Sequence, residues 1–310
     1  MHNKNLDSKN VSYRIVPLQF RHILIALIVP ITWGFGFTFA KASLGYFPPL
    51  LLMGLRFLLA ATLLVCFVPI PRGHLWELCG ICFIAATLQY GLTYSGLALM
   101  EATPAVLLVQ SEVIFGVIIA ALLLGEKPNI RQLFGIGVAL VGVAIILGAP
   151  ALNGQIIGIS LVLSGSLLFA LGQVLIRRLD GALTGLQLTA WIGVMAGPQM
   201  LLASWIIDGN PVPSILAAPF EAWLTVAYLG VVMTAIGYSA WYHVLARYPV
   251  PMVMPVLLLL PVAAIFGAIT LLGEVPDHRV LIGGAVVIFG VGTVITEPSY
   301  LINWWHKKTG

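Results

Sequence analysis

Leu123-Leu124-Gly125-Glu126-x-Pro128-x-x-Arg131-x-Leu133-x-Gly135, followed by Val138, Gly142 and Val143, occurs twice in this chain. The second copy is Leu271-Leu272-Gly273-Glu274-x-Pro276-x-x-Arg279-x-Leu281-x-Gly283, followed by Val286, Gly290 and Val291. Each copy lies where one long apolar run stops and the next begins. Self-similarity at a fixed spacing within a lipid-type composition indicates a duplicated helical bundle. In membranes such duplications are found above all in transporters.

The composition fixes the solvent. Of 310 residues, 60% are hydrophobic and only 8% are charged. A soluble domain carries about 25% charged residues, and one soluble core could not hide this much apolar surface, so the chain is expected to lie in a bilayer. The formal charge of +4 is small, and no basic cluster interleaved with aromatics suggests nucleic acid. The cysteines (Cys66, Cys79, Cys82) all fall in apolar runs. Cys79-x-x-Cys82 has no second pair and no nearby histidine, so it reads as core or lipid-facing rather than as a metal or redox site. No cofactor or metal is implied.

A helix needs about 20 apolar residues to cross the hydrocarbon. The runs predict ten spans, near 22–41, 49–68, 75–97, 103–124, 131–148, 155–176, 184–207, 220–245, 250–272 and 279–296. The first follows a basic, polar segment and resembles a signal peptide. Its apolar stretch exceeds the usual ~7–15 residues of such a leader, so it reads as a retained helix. Lys and Arg collect on the cytoplasmic side. Lys4, Lys9, Arg14, Arg21, Arg72, Lys127, Arg131, Arg177, Arg178, Arg247, Lys307 and Lys308 share one side; Lys41 and Arg279 lie on the other, and Arg56 lies within a span. Both termini are therefore expected to be cytoplasmic.

With the motif between spans four and five and again between nine and ten, each unit has five helices. An odd unit re-enters the membrane from the opposite face. The expected fold is all-α: ten transmembrane helices as two inverted five-helix repeats, residues 22–148 and 155–296. Residues 1–21 and 297–310 are read as cytoplasmic tails. Such repeats enclose a pseudo-symmetric cavity that can open to either side.

Several residues stand out. Glu112 falls in an apolar span, where a charge costs roughly 2.5–3.5 kcal/mol or more unless paired, wet or protonated. It reads as a contact for a substrate ammonium or as a proton carrier; the bland alternative is a bond to a neighbouring helix, Arg56 included. Gln89 with Thr93, and Tyr90 with Tyr94, share one helical face, as do Thr234, Tyr238, Trp241 and Tyr242. These faces, with Trp33 and Phe37 of the first helix and Ser164, Ser166 and Gln173 of the sixth, are the candidate lining of a substrate cavity. That cavity is expected to be the largest in the molecule. Trp76, Trp223, Trp304 and Trp305 read as an interfacial belt, and His243 as an interfacial residue.

Arg56 can snorkel, pair with an acid or hold a substrate carboxylate. Glu126 and Glu274 end helices, where the macrodipole disfavours a carboxylate. They read as structural latches serving the next helix's N-terminus, or Arg131 and Arg279.

Together, Trp33-Gly34 with Phe37, Pro48-Pro49 before Gly54-Leu55-Arg56-Phe57, Gly125-Glu126 with Arg131 and Gly135, Gly237-Tyr238, Pro261, and Gly273-Glu274 with Gly283 and Gly290 resemble the drug/metabolite transporter superfamily, EamA type. Among its members the chain is most similar to bacterial cysteine/O-acetylserine and amino-acid exporters. The resemblance implies a ten-helix inner-membrane exporter of small metabolites, a monomer or homodimer whose partners are a small-molecule substrate and the lipid bilayer. It also implies structural roles for Arg56 and Pro261. One departure is that Val113 stands at the first-half position matching Pro261, just after Gln110-Ser111-Glu112. A sensor or assembly factor on the same fold is the alternative. An intramembrane enzyme lacks support, with no His-Glu-x-x-His, Gly-x-Ser-x-Gly or paired intramembrane aspartates. No Walker motif is present to hydrolyse ATP.

Overall fold

The structure, a computed structural model, describes residues 18–100, 105, 108–147, 156–179, 181–263 and 278–295, without the side chains at 37, 38, 41, 42 and 280. Helix is the only regular secondary structure among the described residues. Among the described residues ten helices are apolar: α1 (Phe20–Ser43), α2 (Pro49–Phe67), α3 (Leu75–Ala98), α4 (Ser111–Leu123), α5 (Ile130–Leu147), α6 (Ile156–Arg178), α7 (Gly185–Asp208), α8 (Phe220–Leu245), α9 (Val250–Ala263) and α10 (His278–Ile295). Outward positions such as Leu122, Phe134, Ile206 and Phe289 are exposed apolar side chains, as a lipid-facing surface requires. The Pro-rich connection after α7 holds a short helix, Val212–Ala217, with Pro213 in its first turn.

Packing follows an inverted two-fold. α2 packs on α7 and α5 on α10, each helix against its own counterpart. α3 packs on α6 as α8 packs on α1, and α4 on α6 as α9 on α1. Leu271 lies 148 positions after Leu123, and the same offset relates Gly135 to Gly283 and Gly142 to Gly290. In space the pairs cross over. A Cβ on Gly135 would lie 2.7 Å from the Gly290 carbonyl, and one on Gly142 would lie 2.8 Å from the Gly283 carbonyl. The repeated glycines thus let two antiparallel backbones touch, as small residues do between membrane helices.

The motif's Gly-Glu step also has a local cause. Gly125 has φ +69°, and the Glu126 N–H donates to Ala120 O at 3.2 Å. This left-handed glycine closes α4 and returns a bond to its last turn. The start of α5 is then capped reciprocally: Gln132 N–H donates to Asn129 Oδ1 at 2.8 Å and Asn129 N–H to Gln132 Oε1 at 2.9 Å.

Four helices are irregular at pseudo-equivalent places. α3 is π-helical over Phe83–Leu88 and α8 over Tyr228–Tyr238. α9 tightens to a 3-10 helix over Met254–Leu259, which contains Pro255 and runs up to Pro261, both without N–H donors. The fourth span, predicted as one helix over 103–124, turns at Gln110 and restarts at Ser111. Glu112 therefore sits in the first turn of α4 rather than midway along a continuous helix. There the N-terminal end of the macrodipole favours a carboxylate.

Candidate substrate cavity

The irregular stretches converge on one cavity between the repeats. Its walls come from Trp33 of α1, Gln89, Tyr90, Thr93 and Tyr94 of α3, Glu112 of α4, Ser166 and Phe169 of α6, and Met233 and Tyr238 of α8, closed by Val109 and Leu260. Its free space is about 20 Å³, little more than one water needs. It is not the largest space, contrary to expectation. Grooves of about 400 Å³ between α2 and α8 and about 300 Å³ against α3 are wider, but they open laterally between apolar side chains. The central cavity is small because its aromatic walls lean together. The Trp33 and Tyr238 rings are 4.4 Å apart, Trp33 and Phe169 meet edge to face at 6.2 Å, and the hydroxyls of Tyr90 and Tyr238 are in direct contact.

Tyr238 follows Tyr90 by the motif's offset, and Tyr242 follows Tyr94 likewise. The two tyrosine pairs are pseudo-symmetric, and the inner members meet across the boundary between halves. Spacing of i,i+4 stacks each pair, with ring centres 5.7 Å apart for Tyr90–Tyr94 and 5.4 Å for Tyr238–Tyr242.

Glu112 is buried and borders the cavity. Among the described residues no group donates to its carboxylate and no charge offsets its burial. Ser166 Oγ and Gln89 Oε1 are likewise buried without a partner, while Gln89 Nε2 donates to Thr93 at 3.2 Å. The pairing of Glu112 with Arg56, considered from sequence, does not occur. Arg56 is 0% exposed, so it does not snorkel either. Its Nε donates to Thr234 Oγ1 at 2.6 Å, Nη2 to Tyr90 Oη at 3.2 Å and Nη1 to Met53 Sδ at 3.5 Å. The guanidinium carbon lies 4.9, 4.8 and 5.6 Å from the ring centres of Phe57, Tyr90 and Tyr238.

The remaining candidates divide. Gln173 and Trp241 stand behind the wall rather than on it: Trp241 Nε1 donates to Gln173 Oε1 at 2.7 Å, and Trp241 packs on Trp33. Tyr242 is buried behind Tyr238. Ser164 is exposed on the opposite face of α6 from Ser166, because a two-residue step turns a helix by about 200°. Pro261 is buried in α9, and Arg279 is exposed at the start of α10. The side chain of Phe37, and Glu274, Trp304 and Trp305 entirely, lie outside the described residues. Trp76 is 90% exposed.

Glu126 has partners other than the expected ones. It accepts from Arg177 Nε at 3.2 Å and from Val250 N–H at 2.7 Å, both in the other repeat. Asn129 and Gln132 already serve the start of α5, which leaves Glu126 free to reach across. Sequence reading missed Phe169 and Met233. Phe169 is i+3 from Ser166 and was readable as the same face; Met233 depends on the π-helical shift of α8.

The model of the EamA-like transporter family matches residues 20–148 and again 156–296. The chain belongs to the EamA-like transporter family. The probable amino-acid metabolite efflux pump of Salmonella typhimurium LT2 is 31% identical over 276 residues, covering 86% of this chain and 92% of that protein. Its namesake in Escherichia coli K12 is 30% identical, with the same coverage. A probable terminal-alkyne amino-acid exporter of Streptantibioticus cattleyicolor is 29% identical over 71% of this chain and 73% of its own length. One solved crystal structure shares the fold, with TM-score 0.72 and 18% identity over 88% of this chain and 98% of that one. This EamA-family chain is thus a multi-pass membrane protein of a transporter family.

Proposed function

We propose that this protein exports small amino-acid-like metabolites across a bacterial inner membrane by alternating access, with both termini cytoplasmic. Relatives named as amino-acid metabolite efflux pumps and an amino-acid exporter support the substrate class. The carrying observation is Glu112, a buried carboxyl with no partner among the described residues, facing an aromatic cavity at the boundary between inverted repeats. Such a group persists in a membrane where it has a use, here as a contact for a substrate ammonium, a carrier of the coupling proton, or both in turn. Trp33, Tyr90 and Tyr238 supply faces on which an amino-acid side chain or ammonium can rest. Because the cavity holds little more than a water, this conformer is the closed one; loading requires the halves to part.

The test is flux in proteoliposomes with a panel of amino acids, with and without an imposed pH gradient. Saturable efflux absent from protein-free vesicles is expected, and a pH gradient of the correct sign should accelerate it. A purified, folded protein that moves no member of the panel would point to the sensor reading instead.

A further inference from the structure

Among the described residues Arg56 is a buried cation without a counter-anion. No carboxylate among the described residues lies within ion-pair distance of it; its donors reach the Thr234 and Tyr90 hydroxyls and a thioether sulfur, with the Tyr94 hydroxyl also bonded to it. Neutral hydroxyls and ring faces ease its burial but do not balance its charge. Glu112 presents the complementary problem on the cavity wall. The two charges sit near one cavity and are kept apart.

We infer that Arg56 is the anchor for a substrate carboxylate, with Glu112 the contact for the same substrate's ammonium, so that the cavity selects zwitterionic α-amino acids over their amines. This rests on the exporter reading and narrows it. The guanidinium fork matches a carboxylate in geometry and charge. Tyr90 and Tyr238, which line the cavity, stack over Arg56 and close the way to it by their hydroxyl contact.

These tyrosines belong to opposite repeats, as do Arg56 and its partner Thr234. Admitting a carboxylate to Arg56 therefore opens the Tyr90–Tyr238 contact between the halves and puts the substrate beside the Arg56–Thr234 bond that also joins them. Binding and the parting of the repeats become one event, which an amine lacking the carboxylate cannot drive.

The experiment is counterflow of radiolabelled L-phenylalanine, L-leucine or L-serine in proteoliposomes, with protein-free vesicles as blank. Each is competed by its own unlabelled amino acid, by the matching amine (phenethylamine, isoamylamine or ethanolamine), and, for phenylalanine, by 3-phenylpropionate. In the unaltered protein the amine should compete roughly a hundredfold less well than the amino acid, the upper scale of leaving a buried polar partner unpaired. Arg56→Gln should raise KM for the amino acid at least about tenfold and erase the preference over the amine, and Arg56→Lys should restore part of it. Amines competing as well as amino acids in the unaltered protein would overturn the anchor while leaving export intact. Equal loss for both classes in Arg56→Gln would make Arg56 a brace only. If none of the labelled amino acids moves, the exporter reading fails and the anchor with it.

Discussion

Glu112 and Arg56 are both charged-type residues buried inside spans, and among the described residues neither finds an ion pair. Position softens the cost differently for each. Glu112 has the N-terminal turn of α4 beneath it, and Arg56 has three aromatic faces around it. Glu112→Gln keeps shape and hydrogen-bonding capacity but removes the titratable proton and the charge. The variant is expected to insert and melt like the parent, and to lose most of its pH-gradient-driven flux. Undiminished pH-driven transport by a well-expressed Glu112→Gln protein would leave Glu112 as a simple helix brace. At the same scale, Trp241→Phe removes the 2.7 Å bond to Gln173 and strands a buried amide oxygen. A loss of about 1–3 kcal/mol is expected, read as a lower melting temperature in detergent.

At the scale of elements, α5 and α10 form the closest crossing. A Cβ on Gly142 would come within 2.7 Å of Val287 N and 2.8 Å of the Gly283 carbonyl. These are backbone atoms, which cannot rotate away as a side-chain tip can. Gly142→Leu should therefore separate the helices and cost about 1–3 kcal/mol or more, seen as poor folding yield and earlier melting. A variant as stable as the parent would show that the crossing is looser than described. The reciprocal cap of α5 makes a milder prediction. Asn129→Ala should cost about 1 kcal/mol and leave substrate KM unchanged, because Asn129 lies in the turn before α5, away from the cavity. A changed KM would tie this turn to the site.

At the scale of the whole molecule, several specific bonds join the halves. Among them are Tyr90 to Tyr238, Arg56 to Thr234, Trp33 Nε1 to Met233 O at 3.2 Å, and Glu126 to Arg177 and Val250; His22 to Tyr248, Tyr228 to the Thr32 carbonyl and Thr87 to Gln199 cross as well. The first three line or back the cavity; Glu126 lies at one mouth, between the turn after α4 and the start of α9. Glu126→Gln can keep the Val250 bond through its amide oxygen but loses the charged bond to Arg177. This should weaken the closed state by about 1–3 kcal/mol and speed hydrogen exchange at the start of α9, with little change in total helix content. If exchange there is unaltered, Glu126 does not hold the mouth.

The sequence by itself determined the solvent, the number of spans and the inverted duplication, because these follow from apolar run length, scarce charge and an odd repeat unit. It also assigned Gln89, Tyr90, Tyr94, Ser166 and Tyr238 to inward faces, since helical periodicity alone brings i and i+4 together. Tertiary structure decided everything that depends on which helices meet. It turned Glu126 toward the opposite repeat, set Gln173 and Trp241 behind the wall and Ser164 outside, and kept Arg56 apart from the Glu112 carboxylate. It also broke the fourth span at Gln110 and widened α3 and α8 into π-helical turns. Periodicity cannot announce such departures, because each is stabilised by contacts with residues far away in the chain. The Gly-Glu repeat belongs to both levels. Its recurrence was legible in the sequence, but its purpose, a backbone crossing of α5 on α10 and a carboxylate aimed across the halves, exists only once the two copies face each other.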